Sequence, residues 1–263
     1  MAERKAIFIT GGGSGIGRAV AQRFAREGWF VGLADISESG MRETAALLPA
    51  GVSSTHRLDV RDRLAWDEAL ADFAEQTGGR IDVMFNNAGV AFSGPLSEMQ
   101  ESEIDMLVDV NFRGVIYGAQ AARPYLANTP GSCLLNTASA AGLYGIANMA
   151  TYSATKFGVR AITEALDVEW AADGIKVRAL MPGFIDTPLL EKPGNSQTNV
   201  TMRDNVVDAK IDFIPVEDVS QAAWDAVHGK KVHSLVGKTA KQLSFMARFA
   251  PGLVRRRSLA PME

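Results

Sequence analysis

The sequence predicts one α/β domain: a parallel sheet, doubly wound, with helices packed on both faces. Three observations point there. A short apolar strand runs into a glycine cluster, a helix and a second strand within residues 5–35. Apolar runs then keep alternating with helical segments as far as residue 181, the pattern of a parallel sheet built from βαβ units. No composition shift and no internal repeat of roughly 20 to 50 residues divides the chain.

Each element has its own signal. Residues 5–10 (KAIFIT) read as the first strand, and 11–17 (GGGSGIG) as a loop. A helix follows over 18–27 with Gly28 as its C-cap, then a strand over 29–34 that ends at Asp35,. The alternation continues with a helix over 37–48, a strand over 55–60, a helix over 63–77 and a strand over 81–85. A long helix fits 102–128, a strand 134–137 at the end of the apolar run CLLNT, a helix 151–172 and a sixth strand 175–181,. From 184 to 214 the periodicity weakens, with Pro, Gly, Asn and Thr clustered at 193–201. A loop of that length reads as a lid or binding element. A helix over 216–228 restores order, and the tail 229–263 holds a short strand near Leu235-Val236 before the apolar, basic stretch QLSFMARFAPGLVRRR. The organisation expected is a single domain over 1–263, with a core at 5–190, a substrate loop at 184–214 and an atypical tail at 229–263.

Composition narrows the classes. The chain is 47% hydrophobic and 22% charged with a net charge of -3, an ordinary globular balance with no basic footprint for nucleic acid. The single cysteine, Cys133, excludes an internal disulfide and a cysteine metal site, and its apolar strand makes it a buried structural thiol. His56, His228 and His233 show no metal-ligand spacing, so no metal is expected. The N-terminus has no signal-peptide core, and no apolar stretch approaches the roughly 20 residues of a membrane span. A cytoplasmic protein is the expectation.

The chemistry gathers in two places. On the helix from 151, Tyr152 and Lys156 lie one turn apart on one face,. A neighbouring ammonium favours phenolate, and bringing a phenol from about 10 to neutrality takes about 4 kcal/mol. Ser139 follows the strand CLLNT and so sits at a strand C-terminus, where open α/β sheets bind ligands. The second place is the loop between the first strand and its helix. A helix N-terminus attracts a pyrophosphate, and Gly11, Gly15 and Gly17, spaced G-x-x-x-G-x-G, let it approach,. Asp35, 20 residues beyond Gly15, suits the adenosine ribose hydroxyls of a dinucleotide. It would repel a 2′-phosphate by about 1 to 4 kcal/mol. Ser14 and Ile36 supply no compensating charge, and Arg18 stands a turn too far along the helix. NAD is the expected cofactor.

With these features in place the chain resembles the short-chain dehydrogenase/reductase family, a single-domain Rossmann-type fold. The resemblance rests on Thr10 and the glycine run to Gly17, Asp59-Val60, Asn86-Asn87-Ala88-Gly89, Asn111, Ser139, Tyr152-x-x-x-Lys156 and Pro182-Gly183-x-x-x-Thr187. It implies that Ser14 and Ile16 join the glycines at the cofactor, that Asp59 and Val60 border an adenine pocket, and that Asn87, Ala88 and Gly89 line the cleft. It also implies that Pro182, Gly183, Ile185 and Thr187 adjoin the nicotinamide, and that Asn111 holds a water relaying protons to Lys156. Tyr152 would be the general acid/base, with Ser139 on the substrate oxygen and Lys156 on the nicotinamide ribose.

Segments after Gly89, between Ser139 and Tyr152, and after Gly183 should line the substrate side. Phe92, Leu143, Tyr144, Met149, Phe184 and Leu189 are the substrate residues expected, and this apolar set suits a hydrophobic secondary alcohol or ketone. The family's Asp-Gly-Gly ending is missing, which puts a tetramer in doubt and leaves a homodimer through 102–128 and 151–172 plausible. Pro251 interrupts the apolar, basic tail, which favours a substrate-side cover or subunit contact over a membrane anchor. Three rivals stand beside the main reading. One is an NADPH-dependent carbonyl reductase, separated by Asp35; another is a dinucleotide sensor without catalysis. The third is a sugar-nucleotide epimerase or dehydratase, which needs a larger C-terminal substrate domain than the roughly 75 residues after Thr187.

Overall fold

A computed structural model describes residues 4–191, 194–198, 200–208 and 211–259. Pro193, from the loop cluster, and the Arg257 side chain lie outside the described set. The elements run β1 (Ala6–Thr10), α1 (Gly15–Arg26), β2 (Phe30–Asp35), α2 (Glu38–Ala46), β3 (Ser53–Arg57), α3 (Arg63–Gln76) and β4 (Val83–Asn86). They continue through α4 (Glu101–Val108), α5 (Gly114–Ala127), β5 (Cys133–Thr137), α6 (Ala150–Glu169) and β6 (Lys176–Pro182). The last are α7 (Met202–Asp208), α8 (Val216–His228), β7 (His233–Val236), α9 (Lys238–Phe249) and α10 (Pro251–Leu259).

Seven strands form one sheet in the order β3-β2-β1-β4-β5-β6-β7, and every pairing is parallel. The chain winds outward from β1 to β3 and then returns to place β4 against β1. That reversal opens a crevice at the carboxyl ends of the strands, where Thr10, Asp35, Asn86, Thr137 and Pro182 stand,.

Alternation along the strands builds two cores. Ile7, Ile9, Leu33, Phe85, Leu135 and Leu180 face α1 and α8, packing on Val20, Phe24 and Val219. Phe8, Met84, Leu134 and Val177 face the other way, onto Trp66, Leu70 and Phe73 of α3 and Ala122 of α5. A buried polar chain crosses between strands and helix: Asn86 Nδ2 donates to Asn136 Oδ1 at 3.0 Å, and Asn136 Nδ2 to Thr163 Oγ1 at 3.0 Å. It ties β4, β5 and α6 at the height of the crevice.

The structure departs from the sequence expectation in four places. Strand β3 spans Ser53–Arg57, not 55–60, because Leu58 N makes the last bond to β2, at Asp35 O, and the chain then closes a turn from Asp62 N to Asp59 O. The expected single helix over 102–128 is broken by one wide π-helical turn, Asp109–Arg113, in which Gly114 N bonds Asp109 O,. The 184–214 segment carries the short helix α7. In the tail the expected short strand is present as β7 beside β6, and the departure is Pro251, which opens α10 at its first position, where a missing N–H costs nothing,. Among the described residues no helix is long and apolar enough to cross a membrane.

Candidate active site

The glycine loop joins β1 to α1 at the crevice. Gly15 has a φ of 51°, a left-handed conformation that disfavours a side chain. A Cβ on Gly17 would lie 2.1 Å from the Gly11 carbonyl oxygen, and one on Gly15 would press on Thr187 at 3.3 Å. Ser14 caps α1 with extended backbone, yet its side chain bonds no helix N–H, and the first turn carries no acid. The partial positive charge of the helix end therefore faces the crevice uncompensated, a cradle that fits a pyrophosphate.

Asp35 closes one side of this cradle. Its carboxylate accepts from Gly13 N and Ser37 N, both at 2.9 Å, fixing the loop against the start of α2. Arg18 is held away from the carboxylate: its guanidinium donates to Gly13 O at 2.7 Å, Thr44 Oγ1 at 3.0 Å and Glu43 at 2.9 Å. Asp59 is gripped by Arg61 at 2.6 Å, and that hydrogen bond holds its carboxyl below the usual range. Opposite, Asn87 N and Ala88 N donate to Thr10 Oγ1, Asn87 Nδ2 donates to Thr10 O at 2.9 Å, and Thr137 Oγ1 donates to Asn87 Oδ1. Asn87 thereby clamps the ends of β1, β4 and β5 around the opening.

Ser139, Tyr152 and Lys156 come together beside it. Ser139 stands two residues past β5, with its oxygen accepting from Ala141 N at 3.1 Å and its hydroxyl near enough to the Tyr152 phenol to favour phenolate. Tyr152 lies in the first turn of α6. One turn later the buried Lys156 donates from Nζ to Thr137 O at 2.9 Å, with its ammonium 5.6 Å from the Tyr152 ring centroid.

The electrostatics differ from the expectation of an acidified phenol. Burial pushes the Tyr152 phenol up, and the Ser139 hydrogen bond only partly opposes it. Lys156 pays its own penalty, pushed down to about 8 by burial. The physical reason is that desolvation disfavours both charged forms, while the ammonium is directed at the Thr137 carbonyl and the phenol at Ser139.

Asn111 sits in the π-helical turn, fully buried. Its amide pairs with both backbone groups of Val90 at 2.8 Å, accepting from the N–H and donating to the carbonyl. These two bonds fix the strap carrying Gly89 and Val90, and the amide keeps a second N–H and a second lone pair,.

A cavity of about 530 Å³ runs the length of the crevice. It is lined at one end by Asp59, Val60 and Arg61, then by Gly11, Ser14, Gly15, Ile16 and Asp35, then by Asn87, Ala88 and Gly89. Ser139, Tyr152 and Lys156 stand in its wall near Pro182, Gly183, Ile185 and Thr187. Gly17 lies behind the wall, packed on Gly11. Of the expected substrate residues, Met149, Phe184 and Leu189 line the cavity. Phe92, Leu143 and Tyr144 do not. Backbone bonds from Ser93 to Gly194 and from Gly94 to Asn148 draw the chain away after Ala91. The turn Ala140–Gly142 carries Leu143 onto the Ala138, Val159 and Met181 cluster, before Ile146 returns to the wall. Met202 of the 184–214 segment and Thr239 and Leu243 of the tail also line the cavity; the substrate loop and the substrate-side cover were expected as segments, while Met202 and Thr239 were not singled out.

Buried Glu103 on α4 fastens the loop over this end, accepting from Gln100 N at 2.9 Å and Ser196 N at 2.7 Å. Among the described residues no group of acidic, histidine or cysteine side chains could hold a metal.

Comparison with known proteins agrees with this architecture. Meso-2,3-butanediol dehydrogenase of Serratia marcescens is 36% identical over 185 residues, covering 70% of this chain and 73% of that protein. Levodione reductase of Leifsonia aquatica is 37% identical over 192 residues, covering 71% and 72%. A short chain dehydrogenase/reductase from Burkholderia phymatum, solved with NAD, superposes with a TM-score of 0.82 at 27% identity, over 98% of this chain and 97% of that one. A short chain dehydrogenase from Burkholderia cenocepacia, solved with NADP, shares the fold with a TM-score of 0.80 at 19% identity, over 98% and 99%. The short chain dehydrogenase family model matches residues 5–198, the stretch that holds the glycine loop, Ser139, Tyr152 and Lys156, and the chain belongs to that family.

Proposed function

We propose that this protein is an NAD-dependent oxidoreductase that interconverts an apolar secondary alcohol and its ketone, with Tyr152 as general acid/base. One observation carries the reading: Tyr152, with Ser139 beside it and Lys156 one turn away, stands in a cavity wall shared with the glycine loop.

The residues fit a dinucleotide along the whole crevice. The α1 N-terminus and its glycines would take the pyrophosphate, Asp35 the adenosine ribose, and Asp59 and Val60 the adenine. Ile185 and Thr187 would adjoin the nicotinamide, and Lys156 its ribose. When bound, the nicotinamide accepts or gives the hydride at its C4. Ser139 donates a hydrogen bond to the substrate oxygen. Tyr152 takes the hydroxyl proton during oxidation and returns it during reduction. Lys156 favours the phenolate through its charge once substrate oxygen and phenol share a proton.

Asp35 supports NAD. Its carboxylate would face the 2′-position of a bound dinucleotide, and Arg18, held by Glu43, Thr44 and Gly13, would offer a 2′-phosphate no partner. The repulsion of about 1 to 4 kcal/mol equals about one to three powers of ten in affinity. The apolar substrate class is supported by Ala91, Ile146, Met149, Leu189, Leu190 and Met202 at the far end of the cavity. Among the described lining residues the charged ones are Asp35, Asp59, Arg61 and Lys156, and the first three stand at the adenosine end. A homodimer through the α4–α5 and α6 faces fits the exposure of Phe157 and Val168 on α6.

The test is kcat/KM with NAD and with NADP across aliphatic, aromatic and steroid secondary alcohols and polar sugars. Turnover of the apolar alcohols with at least about tenfold preference for NAD is expected, and Asp35→Ala should narrow it. Preference for NADP, or turnover confined to sugars, would sink the assignment.

A further inference from the structure

Helices α9 and α10 present an outward face that is exposed among the described residues. Lys238, Lys241, Phe245, Arg248 and Phe249 recur at spacings of three and four on one side of α9, and all are exposed. Phe245 and Phe249 are each 65% exposed, with their rings 5.0 Å apart. On α10, Leu253 and Leu259 are 42% and 65% exposed and stand among exposed Arg255 and Arg256. The opposite side is anchored by buried Ala240 and Val254. Residues 238–262 hold six basic residues and no acidic one, in a chain of net charge -3.

That combination selects its occupant. A second copy meeting this face across a two-fold axis would set the exposed cations of α9 and α10 against their own copies,. A surface both apolar and anionic satisfies the phenylalanines and the cations together. We infer that this face docks the protein onto a membrane surface containing acidic phospholipid. Phe245, Phe249 and Leu253 enter the boundary between headgroups and acyl chains, and the lysines and arginines meet lipid phosphates. Pro251 does not break the surface, because it opens α10 where α9 ends. Thr239 and Leu243, also on α9, line the substrate end of the cavity. Docking therefore sets that opening beside the bilayer, the compartment into which an apolar alcohol partitions. This last link rests on the proposed substrate class; the docking itself does not.

Vesicle flotation of the full chain tests it without reference to turnover. Binding is expected to vesicles of phosphatidylcholine with about 30% phosphatidylglycerol and not to phosphatidylcholine alone, and salt should weaken it. The double substitution Phe245→Ser, Phe249→Ser should lower the partition coefficient by about tenfold or more. Arg255→Gln and Arg256→Gln should each lower it about fivefold. Unchanged melting temperature and unchanged turnover of a water-soluble alcohol show these variants are folded. No binding to the anionic vesicles, or binding unaffected by the substitutions, overturns the inference. So does a fall in solution mass for the phenylalanine variant by light scattering, which would assign the face to a second copy.

Discussion

Replacing Lys156 by methionine should make the protein's stability less dependent on pH in a defined window. Lys156 is buried, donates to Thr137 O at 2.9 Å, and has its pKa pushed down by burial from 10.5 to about 8. At about 1.4 kcal/mol per pH unit, holding the ammonium in the folded state costs about 3 kcal/mol before the Thr137 hydrogen bond offsets part of it. Below the folded pKa both states are charged and the full cost is present. Between the folded and unfolded values the unfolded chain binds the extra proton, so stability rises with pH. Above the unfolded value the cost is gone. The wild type should therefore gain about 2 kcal/mol from about pH 7.5 to about pH 9.5 that Lys156→Met does not. Urea denaturation of both proteins at the two pH values reads this difference directly, and groups that titrate equally in both cancel. Equal pH slopes would refute the burial argument for Lys156.

Two further substitutions probe the scaffold of the site. Gly17→Ala places a Cβ 2.1 Å from the Gly11 carbonyl oxygen. It should destabilise the fold by about 1 to 3 kcal/mol and weaken dinucleotide binding, read by melting and by cofactor titration. Glu103→Gln leaves one acceptor oxygen where the carboxylate serves both Gln100 N and Ser196 N, a loss of about 1 to 2 kcal/mol. Burial raises the Glu103 pKa, but the N–H bonds from Gln100 and Ser196 outweigh it and hold the carboxyl low. Its contribution is present at neutral pH and is lost as pH falls through the folded pKa. The gap between wild type and variant should therefore close in acid, and a gap that widened there would contradict the assignment.

What could be read before the fold was known follows physical range. The βαβ unit and its glycines are local: Gly15 needs its backbone angle and Gly17 its missing Cβ within a few residues of both. The strand CLLNT and the 152–156 spacing are local too, so Ser139, Tyr152 and Lys156 were legible together. The π-helical turn at Asp109–Arg113 was not, because no Gly or Pro interrupts DVNFR and one extra residue in a turn leaves no mark on the pattern. Polar Ser53-Ser54 disguised the start of an edge strand. Leu143 and Leu189 look equally apolar, and only the path of the turn Ala140–Gly142 decides which reaches the cavity. Met202 reaches it by packing with Ala91, Met149 and Leu190, a contact no spacing encodes. The direction of the Tyr152 pKa also escaped sequence logic, since charge proximity was visible there and desolvation was not.

Tyr152→Phe examines the central assignment most directly, because it removes one oxygen and leaves the ring, the helix and the cleft. Single-turnover hydride transfer with the preferred alcohol, measured beside NADH titration by fluorescence, should show a rate lower by about 10³-fold with cofactor affinity nearly unchanged. Hydride transfer surviving at the wild-type rate would mean that the proton travels by some group other than this phenol.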